Sequence, residues 1–238
     1  MLCRIDKILS SQNVASRSQV KQMIKKKQIT VDGVTVKSSD KKYDPERVII
    51  AVDGKPVTVK KHIYIMMNKP KGVISASEDK REKTVIDLLP EELKRRGLFP
   101  AGRLDRDTEG FLLITDDGEL AHKMLSPKNH VYKLYYVETD RPLPPDIKQS
   151  FSSGITLGEE SFLPCDIKQL SDNSALVEIC EGKFHQIKKM FHAVGTEVTR
   201  LKRLRMGGVF LDESLLPGNV RELTEQEKID ILSRKKGI

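Results

Sequence analysis

The most constraining feature of this 238-residue chain is the uneven distribution of its charge. Residues 1–61 contain 14 Lys and Arg against 6 Asp and Glu, whereas residues 62–238 contain 28 of each. The whole formal excess of +8 therefore lies in the first quarter of the chain. Such an asymmetry is expected of a small module that binds a polyphosphate and is joined to a larger body with another task. A solvated basic surface that aids solubility is the alternative that charge alone leaves open.

Composition places the chain among ordinary globular proteins. It is 38% apolar and 32% charged, and its length suits one large domain and one small one. No apolar run reaches the roughly 18 to 20 residues of a membrane span, and the first residues lack a signal-peptide core, so we expect a cytoplasmic protein without a membrane partner. The cysteines Cys3, Cys165 and Cys180 are widely spaced and indicate neither a disulfide framework nor a zinc site.

The segment SRSQVKQMIKKKQITVDGVTVK predicts a helix followed by a hairpin. Ser16 and Gln19 form a capping-box pattern, and the helix that follows directs Val20 and Ile24 inward and its lysines outward. The pair Asp32-Gly33 lies between two short β-branched runs, which is a strong signal for a tight hairpin. The later segment VIIAVDGKPVTV repeats this pattern. Helices with an exposed basic face can lie along a nucleic-acid backbone through phosphate contacts.

From residue 63 onward the pattern is mixed. IYIMM, FLLIT, VYKLYYVET and SALVEI are predicted to be strands, and ELAHKML, FHQIKKMFHAVG and a short piece of TVIDLLPEELKRR are predicted to be helices. In FHQIKKMFHAVG, the residues Phe184, Ile187, Phe191 and Val194 share one side, and Gly195 suits the C-terminal cap. Because strands and helices interleave without regular βαβ repeats, we predict an α+β domain around a mixed, mainly antiparallel sheet with flanking helices.

The segment AGRLDRDTEG concentrates the polar residues that could carry chemistry. Asp105 and Asp107, with Asp116 and Asp117, could form a divalent-metal cluster or a phosphotransfer site of D-x-D type. Both interpretations are weakly supported, because a D-x-D nucleophile normally follows an apolar strand and because neighbouring arginines compete with a metal for the carboxylates. We therefore predict no metal site, and an ion pair between Arg103 and Asp107 is the more ordinary expectation.

A carboxylate nucleophile that needs no metal is the remaining possibility. The sequence has no G-x-S-x-G, Walker or G-x-G-x-x-G motif, and His185 and His192 have no third ligand beside them. A carboxylate is ionised at neutral pH and needs no adjacent base, only a pocket in which a paired cation keeps it charged. Candidate cations lie in EGKFHQIKKMF and RLKRLRMGG, and Tyr135 could supply an aromatic face for a nucleobase.

Two sets of motifs resemble known families. RIDK, ASR and ITVDG are similar to the S4 RNA-binding domain of ribosome-associated proteins over about the first 58 residues, with Lys27 where that family often has glycine. AGRLDRDTEGFLLITDDG resembles the G-R-L-D-x-x-T-x-G-L-L motif of pseudouridine synthases, NKPKG their upstream motif, KLY their K-x-Y element and EGKFHQIKKMF their third motif. The S4 domain together with HQIKKMF and RMGG is similar to the RsuA branch, which modifies small-subunit ribosomal RNA.

This resemblance implies roles for individual residues. Asp105 would be the catalytic carboxylate, Tyr135 would stack on the target base or assist proton transfer, and Lys188, where the family usually has arginine, would pair with Asp105. Pseudouridine formation breaks the N-glycosidic bond of uridine and joins C5 of the turned uracil to ribose C1′, so no cofactor is implied. The implied RNA-contacting residues are Arg4, Lys7, Arg17, Lys21, Lys25, Lys26, Lys69, Arg103, Thr108, Lys133, His185, Gln186, Lys189 and Arg205.

The resemblance also implies a domain order and a partner. We expect an S4-like domain at residues 1–58, a linker at 59–62 and a pseudouridine synthase domain at 63–238. The expected partner is 16S ribosomal RNA, within a small-subunit assembly intermediate, bound by a monomer. Two alternatives stay open at this point: a synthase that acts on large-subunit 23S ribosomal RNA, and a non-catalytic S4-domain factor in ribosome assembly.

Overall fold

The structure is a computed structural model that describes residues 2–234 and 236–238. It divides into two compact units. Unit 1 comprises Met1–Ile63 and Pro90–Leu98, and unit 2 comprises Tyr64–Leu89 and Phe99–Ile238. The segment 90–98, which the expected domain order assigns to the second domain, groups with unit 1, where the Arg95 guanidinium donates hydrogen bonds to the carbonyls of Lys60 at 3.2 Å and Lys61 at 3.0 Å.

Unit 1 combines two short helices with small antiparallel strands. Its elements are β1 (Cys3–Arg4), α1 (Ile5–Ser11), α2 (Arg17–Lys25), β2 (Ile29–Val31), β3 (Val34–Thr35), β4 (Lys42–Tyr43), β5 (Ile50–Val52) and β6 (Lys55–Pro56). Four strands pair in the order β3-β2-β5-β6, and β1 pairs with β4. Ile5 and Leu9 from α1, Val20 from α2, Ile29 from β2 and Ile50 from β5 share one hydrophobic core.

The predicted helix start and hairpin of unit 1 are confirmed. Ser16 Oγ accepts a hydrogen bond from Gln19 N at 3.3 Å, and the Gln19 side chain accepts one from Ser16 N at 2.8 Å, so α2 begins with a complete capping box. In the turn between β2 and β3, Asp32 has a φ of 49° and Gly33 a φ of 78°. Both turn residues thus adopt the left-handed conformation that matches the twist of the flanking strands.

Unit 2 is built on one nine-stranded sheet. Its elements are β7 (Tyr64–Lys69), β8 (Phe99–Ala101), β9 (Glu109–Thr115), α3 (Gly118–Leu125), a 3₁₀ helix (Pro127–Asn129), β10 (Lys133–Thr139), α4 (Ile147–Ser153), β11 (Ile155–Leu157), β12 (Glu160–Phe162), β13 (Asp166–Ser171), β14 (Ser174–Ile179), α5 (Gln186–Ala193), β15 (Val198–Met206), β16 (Val209–Phe210), β17 (Val220–Glu222) and α6 (Glu225–Asp230). The strand order is β13-β14-β10-β15-β9-β7-β17, with β16 on β15 and β8 on β9.

The predicted α+β architecture is confirmed. Among the described strands, the pairing of β15 with β9 is parallel and the other pairings of the large sheet are antiparallel. Phe111 and Leu113 of β9, Met66 of β7 and Met206 of β15 belong to one core cluster, which Met124 of α3 joins. No helix in the described part of the chain is long and apolar enough to cross a membrane.

Two predicted helical segments differ from the structure. Residues 84–96 form turns, because Thr84 and Asp87 hydrogen-bond locally (Thr84 N to Asp87 Oδ2, 2.8 Å) and because Pro90 has no N–H to continue a helix. In the other segment, FHQIKKMFHAVG, the helix begins at Gln186, later than predicted. Phe184 precedes α5 and is 68% exposed, instead of contributing to the buried side of that helix.

Candidate active site

The loop that connects β8 to β9, residues 102–108, carries Asp105. Gly72, from the NKPKG segment after β7, donates a backbone hydrogen bond to the Arg106 carbonyl at 2.8 Å. Inside the loop, Thr108 N donates to the Asp105 carbonyl at 3.1 Å. Two motifs that are separated in the sequence therefore meet in the fold, and together they fix the backbone on which the Asp105 carboxylate is mounted.

Lys69, the last residue of β7, binds this loop from the interior. Its side chain is fully buried, and its Nζ donates to the carbonyls of Pro70, Asp105, Arg106 and Thr108 at 3.0 to 3.3 Å. Burial lowers the pKa of Lys69 to about 8, although the negative charge of Asp105 acts in the opposite direction. The Lys69 ammonium group is therefore used inside the protein to hold the loop, whereas the sequence predicted it to contact RNA.

Two side chains from the region of α5 reach the Asp105 carboxylate. Lys188 Nζ lies 3.2 Å from Asp105 Oδ2, and His185 Nε2 lies 3.5 Å from Asp105 Oδ1. Lys188 Nζ also donates to Asp107 Oδ1 at 2.6 Å. The structure thus contains the expected ion pair between Asp105 and Lys188. Asp107, however, forms its ion pair with Lys188 rather than with Arg103.

The ion pairs fix the charge beside Asp105. Burial acts to lower the pKa of Lys188, but the hydrogen bonds and negative charges of Asp107 and Asp105 outweigh it and raise that pKa above its ordinary value. Burial acts to raise the pKa of Asp107, but the hydrogen bond and charge of Lys188 outweigh it and lower that pKa. Lys188 is therefore an ammonium ion at physiological pH, and a permanent positive charge stands next to Asp105.

The helix α5 aims Lys188 at the loop because its opposite face is buried. Ile187, Met190 and Phe191 are buried in unit 2. Gln186, a predicted RNA contact, is also buried, and its amide group holds the turn that precedes the helix. The Gln186 side chain thus has a structural task inside the protein, whereas the sequence predicted it to contact RNA.

Tyr135 on β10 contacts Arg203, a buried arginine of the RLKRLRMGG segment that the sequence indicated as a source of cations without singling out this residue. Arg203 Nη1 lies 3.4 Å from the Tyr135 hydroxyl, and Arg203 Nε donates to the Phe111 carbonyl at 2.7 Å. Within residues 2–234 and 236–238, Arg203 Nη2 has no hydrogen-bond partner, and Tyr135 makes no hydrogen bond to Asp105. The alternation of Leu201, Arg203 and Arg205 with more exposed residues along β15 is the signal that could have indicated a buried arginine here.

Gly110, in the same motif as Asp105, allows the parallel pairing of β9 with β15. It lies opposite Arg203 in that pairing and has a φ of 102°. A Cβ atom at this position would lie 2.3 Å from the Arg203 carbonyl oxygen. The strands can therefore approach this closely only with glycine at position 110.

Three further residues that were predicted to bind RNA are buried. Thr108 and Arg205 are each 1% exposed, and Lys133 is 7% exposed. Lys133 Nζ donates to the Val131 carbonyl at 3.1 Å, and burial lowers the pKa of Lys133 to about 8. Arg205 forms a buried ion pair with Glu178. All three side chains therefore lie in the interior of unit 2, whereas the sequence predicted them to contact RNA.

The other predicted RNA contacts are accessible. In unit 1, Arg4 is exposed and forms ion pairs with Asp6 and Asp40. In unit 2, Lys189 is partly exposed and pairs with Glu160. The remaining accessible residues of the predicted set are Lys7, Arg17, Lys21, Lys25, Lys26, Arg103 and His185.

The acidic residues outside the loop have structural tasks. Asp117 caps α3 through hydrogen bonds from Glu119 N and Leu120 N, and it accepts one from the Tyr64 hydroxyl at 2.7 Å. Throughout the described residues, no three His, Cys, Asp or Glu side chains gather as a possible metal-ligand group. Three of the four aspartates of this region are thus divided between a helix cap, formed by Asp117, and the ion pairs of Lys188 with Asp105 and Asp107.

Comparison with known proteins gives matches over both units. Residues 63–193 match the RNA pseudouridylate synthase family, and residues 3–49 match the S4 domain. The chain is 45% identical over 229 residues to the uncharacterized RNA pseudouridine synthase YtzG of Bacillus subtilis, covering 94% of this chain and 96% of that protein. It is 40% identical over 227 residues to the ribosomal small subunit pseudouridine synthase A of Yersinia pestis, covering 94% and 96% respectively.

One solved structure is similar over nearly the full length. A crystal structure of a pseudouridylate synthase superposes with a TM-score of 0.67 at 33% sequence identity, covering 96% of this chain and 99% of that one. The match to the S4 domain precedes the match to the synthase family along the chain, and the motifs of the two families occur in the same order. The chain therefore belongs to the RsuA family of RNA pseudouridine synthases and carries an S4 domain ahead of its synthase domain.

Proposed function

We propose that this protein isomerises one uridine of small-subunit 16S ribosomal RNA to pseudouridine, with Asp105 as the reactive carboxylate. The observation that carries the proposal is the ion pair of Asp105 with Lys188, 3.2 Å apart, on a loop that Lys69 holds from inside. Such a carboxylate is charged, fixed in position and still partly exposed. These are the properties that a nucleophile or general base for a bound nucleoside requires.

The neighbouring residues support this assignment in different ways. Lys188 keeps a positive charge 3.2 Å from the Asp105 carboxylate. Tyr135 offers an aromatic ring and a hydroxyl group oriented by Arg203, suited to stacking on the uracil or to proton transfer. The uridine must leave its base stack to reach Asp105, at a cost of a few kcal/mol that contacts to the RNA backbone would offset. Atoms balance within the nucleotide, because the bond from C1′ to N1 is exchanged for one from C1′ to C5.

The choice of 16S ribosomal RNA rests on the relatives. The protein of Yersinia pestis is named a ribosomal small subunit pseudouridine synthase, and its similarity extends through both units of this chain. The exposed cations of α1 and α2 would bind the ribosomal RNA backbone near the target, with residues 1–58 acting as the RNA-binding module of a monomer. A small-subunit assembly intermediate is the proposed form of the substrate.

The test is the isosteric substitution Asp105→Asn, measured on 16S ribosomal RNA of the source organism. We expect pseudouridine formation to fall by at least about 1,000-fold, while RNA affinity stays within about threefold, because the lost group acts on the reacting nucleotide. The matched variant Asp107→Asn removes the second partner of Lys188 and should cost no more than about tenfold. Equal activity of Asp105→Asn and the unmodified protein would exclude Asp105 as the reactive group.

Mapping pseudouridines in ribosomal RNA from cells with and without this protein identifies the target. One pseudouridine lost from 16S ribosomal RNA is the expected result. A loss confined to 23S ribosomal RNA would assign the protein to the large subunit. If no site were lost although the protein still bound ribosomal RNA, a non-catalytic assembly role would replace the proposal.

A further inference from the structure

An exposed aromatic ring lies immediately beside the Asp105 site. Phe184 is 68% exposed, although a large apolar side chain is usually buried. Its ring stacks on the imidazole of His185, with centroids 3.8 Å apart and an angle of 18° between the planes. His185 Nε2 in turn lies 3.5 Å from Asp105 Oδ1. We refer to the stacked rings of Phe184 and His185 as the aromatic platform.

The loop that presents the aromatic platform is held by hydrogen bonds around the buried Gln186 side chain. The Gln186 side chain accepts a hydrogen bond from Lys183 N at 3.1 Å and donates one to Glu181 Oε1 at 2.8 Å. Glu181 Oε1 also accepts a hydrogen bond from Leu163 N at 2.9 Å. His185 has a φ of 53°, a left-handed conformation that a non-glycine residue adopts only when its surroundings impose it. The exposure of Phe184 is therefore built into the fold and does not result from a loose loop.

Three lysines lie near the aromatic platform, and each has a carboxylate partner: Lys183 has Glu181, Lys188 has Asp105 and Asp107, and Lys189 has Glu160. Lys189 Nζ lies 5.5 Å from the centre of the Phe184 ring, and Lys188 lies one residue before it on α5. Lys183 is exposed, and its Nζ donates to the Ser161 carbonyl at 2.5 Å. An aromatic face among cations fits a nucleotide, because the base can stack on the ring while the phosphate meets the positive charge.

The geometry points to the aromatic platform as a binding subsite for an unpaired nucleobase that flanks the target uridine in the RNA strand. This inference rests on the proposed synthase function, because it assumes that a nucleotide is delivered to Asp105. When the target uridine turns out of its stack, its neighbours lose a stacking partner. A preformed ring next to the reactive carboxylate replaces that partner and holds the strand open. Stacking of this kind accepts any base, since every base has a π-face.

The test replaces Phe184 with Ala, Leu, Tyr and Trp in a protein that also carries Asp105→Asn, so that RNA affinity is measured without turnover. The probe is in vitro transcribed 16S ribosomal RNA of the source organism. We expect Phe184→Ala and Phe184→Leu to weaken binding about tenfold, and Phe184→Tyr and Phe184→Trp to stay within about twofold. The control is Phe210→Ala, because Phe210 on β16 is also exposed, at 54%, and should leave affinity unchanged. Thermal melts check that each variant is folded.

Several outcomes would overturn the subsite. The subsite would be excluded if the Phe184→Ala variant bound RNA as tightly as the protein that retains Phe184. It would also be excluded if the Phe184→Leu variant kept full affinity, because an apolar contact would then suffice without an aromatic face. Phe184→Ala is also made with Asp105 intact; a fall in its turnover, with unchanged affinity in the Asp105→Asn protein, would show that Phe184 acts only through the position of His185. These results leave the proposed function standing. That function fails separately, if Asp105→Asn alone still forms pseudouridine.

Discussion

The basic residues of the two units are used in opposite ways. In unit 1 the lysines and arginines predicted to contact RNA lie on the surface of α1 and α2 and at the ends of these helices. In unit 2, Lys69, Lys133, Arg203 and Arg205 are at most 7% exposed. Unit 1 carries a formal charge of +9, from 17 Lys and Arg against 8 Asp and Glu, whereas unit 2 carries −1, from 25 against 26, and places several cations in its interior.

The difference separates two physical roles of a cation. An exposed ammonium group acts at a distance through a field that salt screens, so its exact position matters little. A buried one acts through hydrogen bonds in a fixed geometry, as Lys69 does with four carbonyls around Asp105. We expect removal of exposed cations to change RNA binding and its salt dependence. Removal of buried cations should change turnover and protein stability.

The strongest test of this contrast is Lys69→Met. Methionine fills a similar volume but leaves the loop carbonyls without their donor, so the loop should shift and unit 2 should lose roughly 3 kcal/mol of stability. Because a displacement of about 1 Å at the reacting group can cost 100-fold in rate, single-turnover pseudouridine formation should fall by at least about that factor. RNA affinity should stay within about threefold.

The matched control is Lys71→Met, two residues further along the chain. Lys71 is exposed, and its Nζ lies 3.9 Å from Glu109 Oε2, a distance at which a surface pair contributes little. Turnover of the Lys71→Met variant should remain within about threefold of that of the unmodified protein. If both variants lost activity equally, the special role of the buried ammonium group would be refuted.

A combined variant of unit 1 tests the opposite case. Replacing Arg17, Lys21, Lys25 and Lys26 with glutamine should weaken RNA binding about tenfold near physiological salt and make the salt dependence shallower by two to three in log–log slope. Turnover at saturating RNA should not change. Arginine at the three lysine positions is the charge-conserving control and should restore the slope. An unchanged slope in the glutamine variant would mean that this surface does not meet phosphate.

The smallest expected effect is the pH dependence of the stability that Lys133 contributes. Burial lowers the pKa of Lys133 to about 8 in the folded protein, so between pH 8 and the ordinary lysine pKa the unfolded chain binds more protons than the folded one. The contribution of Lys133 to the free energy of unfolding should therefore rise with pH in that range. Relative to Lys133→Met, the unmodified protein should gain about 1 kcal/mol between pH 7 and pH 9, measured by denaturant unfolding. A constant difference would contradict the lowered pKa.

Local patterns predicted much of the fold because their causes are local. The capping box at Ser16 and the left-handed turn at Asp32-Gly33 depend on neighbouring residues only, and both are present in the structure. The segment 84–96 illustrates the limit of such patterns. Its composition suits a helix, but Thr84 and Asp87 bond to each other and Pro90 interrupts the backbone hydrogen bonds.

The interior tasks of charged residues could not be predicted in this way. The carbonyls that Lys69 binds around Asp105 lie 36 to 39 residues further along the chain, and they converge on it only when β7 and β9 pair. A lysine in a motif therefore suggested RNA contact, although tertiary packing makes it a support of the loop. The link between Asp105 and Lys188 was accessible only through the resemblance of the motifs, since no local rule joins residues that are 83 positions apart.

Lys188 forms ion pairs with two carboxylates, and the second pair would keep its charge compensated during the proposed reaction. Its ammonium group is nearer to Asp107, at 2.6 Å, than to Asp105, at 3.2 Å. When Asp105 loses its negative charge, by accepting a proton or by forming an ester, Lys188 still has a full counter-ion in Asp107. In the proposed reaction, Asp105 can therefore change its charge state without leaving an isolated cation behind, because Asp107 keeps the local charge balanced.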